Sequence, residues 1–205
     1  EEERRQAVQR KMQERQEFEE HIRRTFLASD DEVLTMGISV LTEWSRGTAA
    51  TILYDSKTDL FTADALFDKV RKKPNVAIIG FTADGNVFGG FYHKAVPEQD
   101  ITVFDRYIFA FSFKSRGRCR TPQLFSANKD AYVCFPKNDK SGFVQFWVRG
   151  AGGFWLGNES SDSYCWNMHN AFDGLQDLTL TGRNGFPGSE PQHLCTRLVA
   201  LQLHF

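Results

Sequence analysis

From about Thr51 onward the apolar residues come in short runs broken by glycine, proline and polar clusters. That rhythm predicts strands. Ile52-Leu53-Tyr54 reads as a short strand and Val76 to Phe81 as an apolar one. Val87 to His93 pairs back with the second across the turn Ala83-Asp84-Gly85-Asn86. Tyr107 to Phe113, Tyr132 to Phe135, Phe143 to Val148 and Leu198 to Leu203 continue the pattern. Two stretches read as helices. Ser29-Asp30-Asp31-Glu32 supplies a cap and an acidic first turn for a helix to about Trp44, apolar at Val33, Leu34, Ile38, Leu41 and Trp44. Thr62 can cap a second, from Ala63 to Arg71, with Leu66, Phe67 and Val70 inward and Pro74 as its stop. Many strands with few helices imply a β-rich α+β fold: a two-sheet antiparallel β-sandwich with short flanking helices.

The chain opens differently. Glu1 to about Leu27 holds no glycine or proline and reads as one charged helix. Seven basic residues up to position 24, Arg15, Arg23 and Arg24 among them, balance seven glutamates. Glu19 with Arg23 and Glu20 with Arg24 have the favourable i, i+4 order. Val8, Met12, Phe18, Ile22 and Phe26 make a stripe that breaks between 12 and 18, too sparse to bury much surface. Two readings stay open: a solvated helix docked on its own domain, or a coiled-coil end or partner-binding arm, with a homodimer through residues 1–28 as one form of it. The chain therefore divides into an arm, 1–28, and a globular domain, 29–205. Beginning with Glu1, it reads as a fragment of a longer protein.

Composition narrows the chemistry. With 205 residues, 41% of them hydrophobic, the chain can build one sizeable core plus an appendage. A formal net charge of -1 argues against nucleic acid or an anionic membrane as the main partner. Nineteen phenylalanines suit pleated, half-buried surfaces. No apolar run is long enough for a spanning helix, and the opening residues do not read as a secretory signal. Cys119, Cys134, Cys165 and Cys195 form no Cys-x-x-Cys pair, so neither a zinc site nor another cofactor is expected. They read as reduced thiols of an intracellular protein, cytoplasmic, with the nucleus as the alternative.

The glycine-rich stretch Asp84 to His93 raises the question of a phosphate loop. Such loops present amides at a helix start and, in the Walker form, continue into Gly-Lys-Ser/Thr. Here Gly89-Gly90 runs into Phe91-Tyr92-His93, which are strand residues. Gly85 is expected in the hairpin turn, and Gly89 and Gly90 where a bulge or another backbone needs room. Gly152 and Gly153 also lead into a strand, which carries Trp155. Asp55 to Asp59 lacks the glycine and glutamate of an EF-hand and reads as a turn. Lys114, Arg116, Arg118 and Arg120 concentrate charge in a loop at a strand end, open to solvent, to an acidic partner or, as an alternative, to nucleic acid. Cys119 lies among these cations and, if exposed, becomes the most reactive thiol. Cys165 with His169 is the one close Cys/His pair, so Cys119 and Cys165 are the candidates for a redox role. No nucleophile-elbow or zinc-protease motif occurs, and no catalytic residue is assigned.

These motifs, in their order, resemble the TLDc domain over residues 40–205. Leu53-Tyr54 and Asp59-Leu60-Phe61 look like the family's Leu-Tyr strand and the turn before its helix. Val87-Phe88-Gly89-Gly90-Phe91 looks like its Phe-Gly-Gly/Ala-Phe hairpin. Tyr107 to Phe111 resembles its Phe-Leu-Phe strand, Gly152 to Leu156 its Gly-Gly-x-Phe segment, and Cys165 and Asn170 its Cys and Asn. Two positions depart: Asp105 stands near the family's glutamate, and Asn167-Met168 replaces Thr-Phe. The resemblance implies a β-sandwich without established enzymatic activity. It implies a protein-interaction module linked to oxidative-stress resistance, with vacuolar-type ATPase subunits as partners.

Overall fold

The computed structural model describes residues 6, 9–10, 12–13, 28–119, 121–137, 141–158, 160–161, 163–185 and 193–205. Strands β1 (Ala49–Asp55), β2 (Val76–Thr82), β3 (Val87–Tyr92), β5 (Phe109–Lys114), β6 (Gln123–Ser126) and β11 (Cys195–His204) form one antiparallel sheet, in the order β1-β11-β2-β3-β5-β6. The other sheet runs β10-β9-β8-β7-β4, from β4 (Val103–Phe104), β7 (Ala131–Cys134), β8 (Val144–Val148), β9 (Gly152–Leu156) and β10 (Cys165–Trp166). The sheets face each other across one core. Ile78, Phe88 and Tyr92 of the first sheet meet Val133, Phe146 and Phe154 of the second.

The middle of the six-stranded sheet is covered on both faces, and its sequence says so. Every residue of β2 and β3 is buried. Val76 and Ile78 enter the inter-sheet core, while Ala77, Ile79 and Phe81 pack outward against helix α1 (Asp30–Ser45). A strand buried on both sides needs an unbroken apolar run, whereas one buried on a single side alternates. β8 is of the second kind: Val144, Phe146 and Val148 are buried, Gln145 and Trp147 half-buried. Layers of α1, six-stranded sheet and five-stranded sheet result.

α1 is capped as its sequence predicts. Ser29 accepts from the Glu32 N–H while the Glu32 carboxylate takes the Ser29 N–H, a full capping box. Arg46, in the left-handed region, ends it. Its inner face carries Val33, Leu34 and Leu41, and Gly37 lies directly on the Phe113 ring. Helix α2 (Ala63–Val70), capped by Thr62, turns Leu66, Phe67 and Val70 into the inter-sheet core, where Phe67 meets Phe135 at 5.4 Å. It stops at Arg71, earlier than Pro74.

Two expectations need correction. The strand expected from Tyr107 starts at Phe109, because Tyr107 belongs to a turn built on Asp105. Of the two reasons expected for Gly89 and Gly90, the bulge lies instead at Val87/Phe88, opposite β5, while the close approach of another backbone holds at Gly89, which faces the Ile78 carbonyl; the two glycines pair in regular register with Ile79 and Ile78. At the amino terminus Gln6, Gln9, Arg10, Met12 and Gln13 are helical and exposed. Arg15, Arg23 and Arg24, and with them the coiled-coil reading of the arm, lie outside the described residues. No helix among the described residues is long and apolar enough to cross a membrane.

Candidate functional site

α1 covers only part of the outer face of the six-stranded sheet. Beyond its last turn, at Trp44 and Ser45, a groove of about 620 Å³ opens over β3, β5 and β6. That is the size range of small-molecule and peptide pockets. Its floor is aromatic: Phe91 and Phe109 stack at 4.8 Å, beside Trp44 and Leu124. The rim carries Tyr107 and Phe205, whose relative exposures of 53% and 62% are high for such large apolar groups. His93 and Arg106 also line the groove, and no aspartate or glutamate does.

Asp105 builds this rim. Its side chain is buried, and its two carboxylate oxygens accept from three backbone amides: Oδ2 from His93 at 2.5 Å and Lys94 at 2.9 Å, Oδ1 from Tyr107 at 3.0 Å. One carboxylate thus joins the end of β3 to the turn before β5. Arg106 and Tyr107 then project together: the guanidinium lies 4.8 Å over the Tyr107 ring and donates to its hydroxyl at 2.7 Å. The His93 ring meets Tyr107 edge-on at 5.6 Å. A neighbouring hollow of about 550 Å³ shares this rim and adds Lys94 and Asp130.

The remaining sequence candidates fall elsewhere. Gly85 sits in the β2–β3 turn with φ +82. A Cβ on Gly89 would collide with the Ile78 carbonyl, and one on Gly90 would come within 2.7 Å of the Phe146 ring of the facing sheet. Phe88 lies in the inter-sheet core, edge-on to Phe154 at 5.8 Å, while Phe91 on the opposite face reaches the groove floor. Gly152 lies under the Trp166 and Asn167 carbonyls. Gly153 clears space for Trp147, whose ring stacks on Trp166 at 5.4 Å and lies 4.8 Å from Trp155. These residues build the scaffold.

The basic loop lies at the end of β5. Lys114 ends β5, Arg116 is exposed at φ 49, and Arg120 lies outside the described residues. Arg118 is exposed yet tethered: it donates to the Asn86 Oδ1 and to the Thr179 carbonyl, and desolvation lowers its pKa. It ties the loop to the β2–β3 turn.

The thiols lie apart from the groove. Cys119 is half-buried against the main core, its N–H donating to Ser115 Oγ at 2.6 Å. Cys165 is fully buried, and burial raises its pKa well above the ordinary thiol range, far from the thiolate a redox role needs. Its expected neighbour His169 is exposed and pairs with Asp177 at 2.9 Å. The two do not form a catalytic dyad. Among the described residues no group of three or more His, Cys, Asp or Glu side chains could hold a metal.

Sequence reasoning missed the groove. Periodicity places His93 at the end of a strand and gives Arg106 no role. The usable signal was Phe104-Asp105-Arg106-Tyr107, an acid and a base between exposed aromatics, placed where a strand must begin. No protein-family model matches the chain, and no curated protein matches it.

Proposed function

We propose that this chain is a non-enzymatic protein-interaction module of TLDc type. The observation that carries the reading is the groove at the end of α1, with its aromatic floor and exposed rim of His93, Arg106, Tyr107 and Phe205. A surface that keeps large apolar groups in water beside charged groups suits a protein partner. The motif order from Leu53 to Phe205 supports the TLDc assignment, and with it vacuolar-type ATPase subunits as partner and oxidative-stress resistance as setting. An intracellular location belongs to the same reading, and the four free thiols favour it. The arm, 1–28, is a second binding element or a homodimer contact.

Residues 1–205 and residues 29–205 are to be compared for binding to purified vacuolar ATPase subcomplexes by biolayer interferometry, and for mass by analytical ultracentrifugation. Saturable binding by the longer form, weakened in the shorter, is expected. Equal binding by both would remove the arm's role. Absence of binding by either would remove the ATPase assignment.

A further inference from the structure

We infer, beyond the protein-interaction reading and independently of it, that one end of the sandwich docks on an anionic membrane surface. Its lysines and arginines meet the lipid phosphates, and the exposed rings of Phe104 and Tyr107 enter the interface.

Strand pairing defines that end. In the six-stranded sheet Ala49 pairs with His204, Gln202 with Val76, Val76 with Tyr92, Phe91 with Phe109, and Phe109 with Ser126. The beginnings of β1, β2 and β5 thus lie beside the ends of β3, β6 and β11. In the other sheet Ala131 pairs with Val148, and Val148 with Gly152. Asp105 joins the two sheets here. Its N–H donates to the Ala131 carbonyl at 2.9 Å, and its carboxylate accepts from the His93 N–H.

The connections gathered at this end are basic. Arg46 follows α1, and Arg71, Lys72 and Lys73 lead from α2 into β2. Lys94 follows β3, Arg106 precedes β5, Lys129 precedes β7 and Arg149 follows β8. All eight are exposed, and none has a carboxylate partner among the described residues. Where their heads are held, the acceptors are neutral. Arg71 donates to the Pro97 carbonyl at 3.0 Å, Lys94 to the Phe104 carbonyl at 2.9 Å and Arg106 to the Tyr107 hydroxyl at 2.7 Å. Four acids share this end. Asp105 is buried and turned to three amides. Asp177 pairs with His169, which leaves Asp130 and Asp173 exposed. Glu43 and Asp68 lie within the helices, and Glu98 and Asp100 on the chain running back to the start of β4, where Gln99 reaches Asp64. Eight cations against four acids leave a surplus of four positive charges, in a chain whose formal net charge is -1. The whole-chain value averages this asymmetry away, but the local field attracts anions.

The rings separate one anionic partner from another. Phe104 and Tyr107 are 46% and 53% exposed. The Arg149 guanidinium lies 5.7 Å over the Phe104 ring, and that of Arg106 4.8 Å over Tyr107. Tyr132 meets Phe104 edge-on at 5.7 Å, as His93 meets Tyr107 at 5.6 Å. A nucleobase stacking on the covered face of either ring would have to displace a cation. A bilayer interface instead takes ring and cation side by side, the ring among the headgroups and the guanidinium on the phosphates. The eight cations also come from six different connections, spread over an end face instead of along one groove. That suits a broad charged surface.

The test is co-sedimentation of residues 1–205 with vesicles of phosphatidylcholine, alone or mixed with phosphatidylserine. K73E/R149E reverses two charges at this end. R116E/K137E makes the same charge change at exposed positions of the opposite end. Circular dichroism reports the folding of each. The native protein is expected to bind only the phosphatidylserine vesicles, and to be released as salt rises from about 0.05 M to about 0.5 M. K73E/R149E should bind roughly a hundredfold more weakly or worse, as two reversed charges near a lipid surface imply. R116E/K137E should stay within a few-fold of native, and Y107A should weaken binding several-fold. No binding to phosphatidylserine vesicles, or equal binding to both kinds, overturns the proposal. So do equal losses in the two charge-reversed pairs, which would assign binding to the arm or to net charge. An unchanged Y107A overturns the interfacial role of the rings. Saturable binding of a labelled oligonucleotide, lost in K73E/R149E while vesicles stay unbound, overturns the membrane in favour of nucleic acid.

Discussion

Gly85 and Gly89 are glycines for different reasons, and substitution separates them. Gly85 has a positive φ and open space around a would-be Cβ, so G85A strains only the backbone and should cost about 1 kcal/mol. G89A drives a methyl into the Ile78 carbonyl between paired strands, where nothing flexible can yield. It should cost about 3 kcal/mol or more, with urea midpoints showing the difference. Equal costs would contradict the close approach. His193 is a second residue whose environment is not written in its neighbours along the chain. It is buried edge-on against Phe88, its Nε2–H donates to the Trp155 carbonyl at 2.9 Å, and its Nδ1 has no partner among the described residues. Burial lowers its pKa from 6.5 to about 4. The folded protein thus binds this proton less readily than the unfolded chain. The stabilisation is complete above pH 6.5 and is lost as pH falls toward 4, by roughly 3 kcal/mol. H193Q should flatten the stability profile across that window, and an unchanged slope would assign it to other groups.

At the scale of elements, α1 shows how far a local signal reaches. Its cap, its length and its apolar face were all readable, because they depend on residues within one or two turns. Its attachment was not. Arg197 of β11 bridges Asp31 of α1 at 2.5 Å and Asp55 of β1 at 2.6 Å while lying over the Phe81 ring. Burial opposes the charge on Asp55, yet hydrogen bonds from Arg197 and the Lys57 N–H outweigh it and hold the carboxyl below its ordinary range. That contribution is present above the usual carboxylate pKa and fades as pH falls below it. R197L leaves a largely buried Asp55 uncompensated and should cost about 2 kcal/mol, discounted for solvent screening. D31N, altering a carboxylate at the surface, should cost much less. If the two cost the same by chemical denaturation, the clamp on Asp55 is not what holds this corner. The start of β5 teaches the same point: apolar alternation ran on through Tyr107, but the Asp105 carboxylate, bonded to amides on both sides, turns that residue out to the groove.

For the whole molecule, burial decides which thiols react. Cys165 is fully buried, and burial pushes the Cys195 thiol up to about 12. Both should resist iodoacetamide in native buffer and label only on global unfolding, whereas the half-buried Cys119 and Cys134 should label first. Native-state labelling of Cys165 faster than unfolding, followed by peptide mass spectrometry, would revive its redox role. The sheet order also belongs to this scale. β11, last in sequence, lies between β1 and β2, pairing Leu201 with Ile52 and with Ala77. Removing the final strand should therefore split the first from the rest of its sheet.

The sequence alone determined what depends on period, punctuation and local caps: two sheets, the helices from Asp30 and from Ala63, and a hairpin across Asp84 and Gly85. The tertiary structure decided what depends on groups distant in sequence meeting. Arg118 becomes a strut because Asn86 and Thr179 converge on it. Cys165 is buried because two sheets close over it. Arg106 faces an aromatic groove because α1 ends at Ser45, short of β6. Periodicity assigns a residue to a face, but the cover over that face depends on the ends of elements far away in the chain.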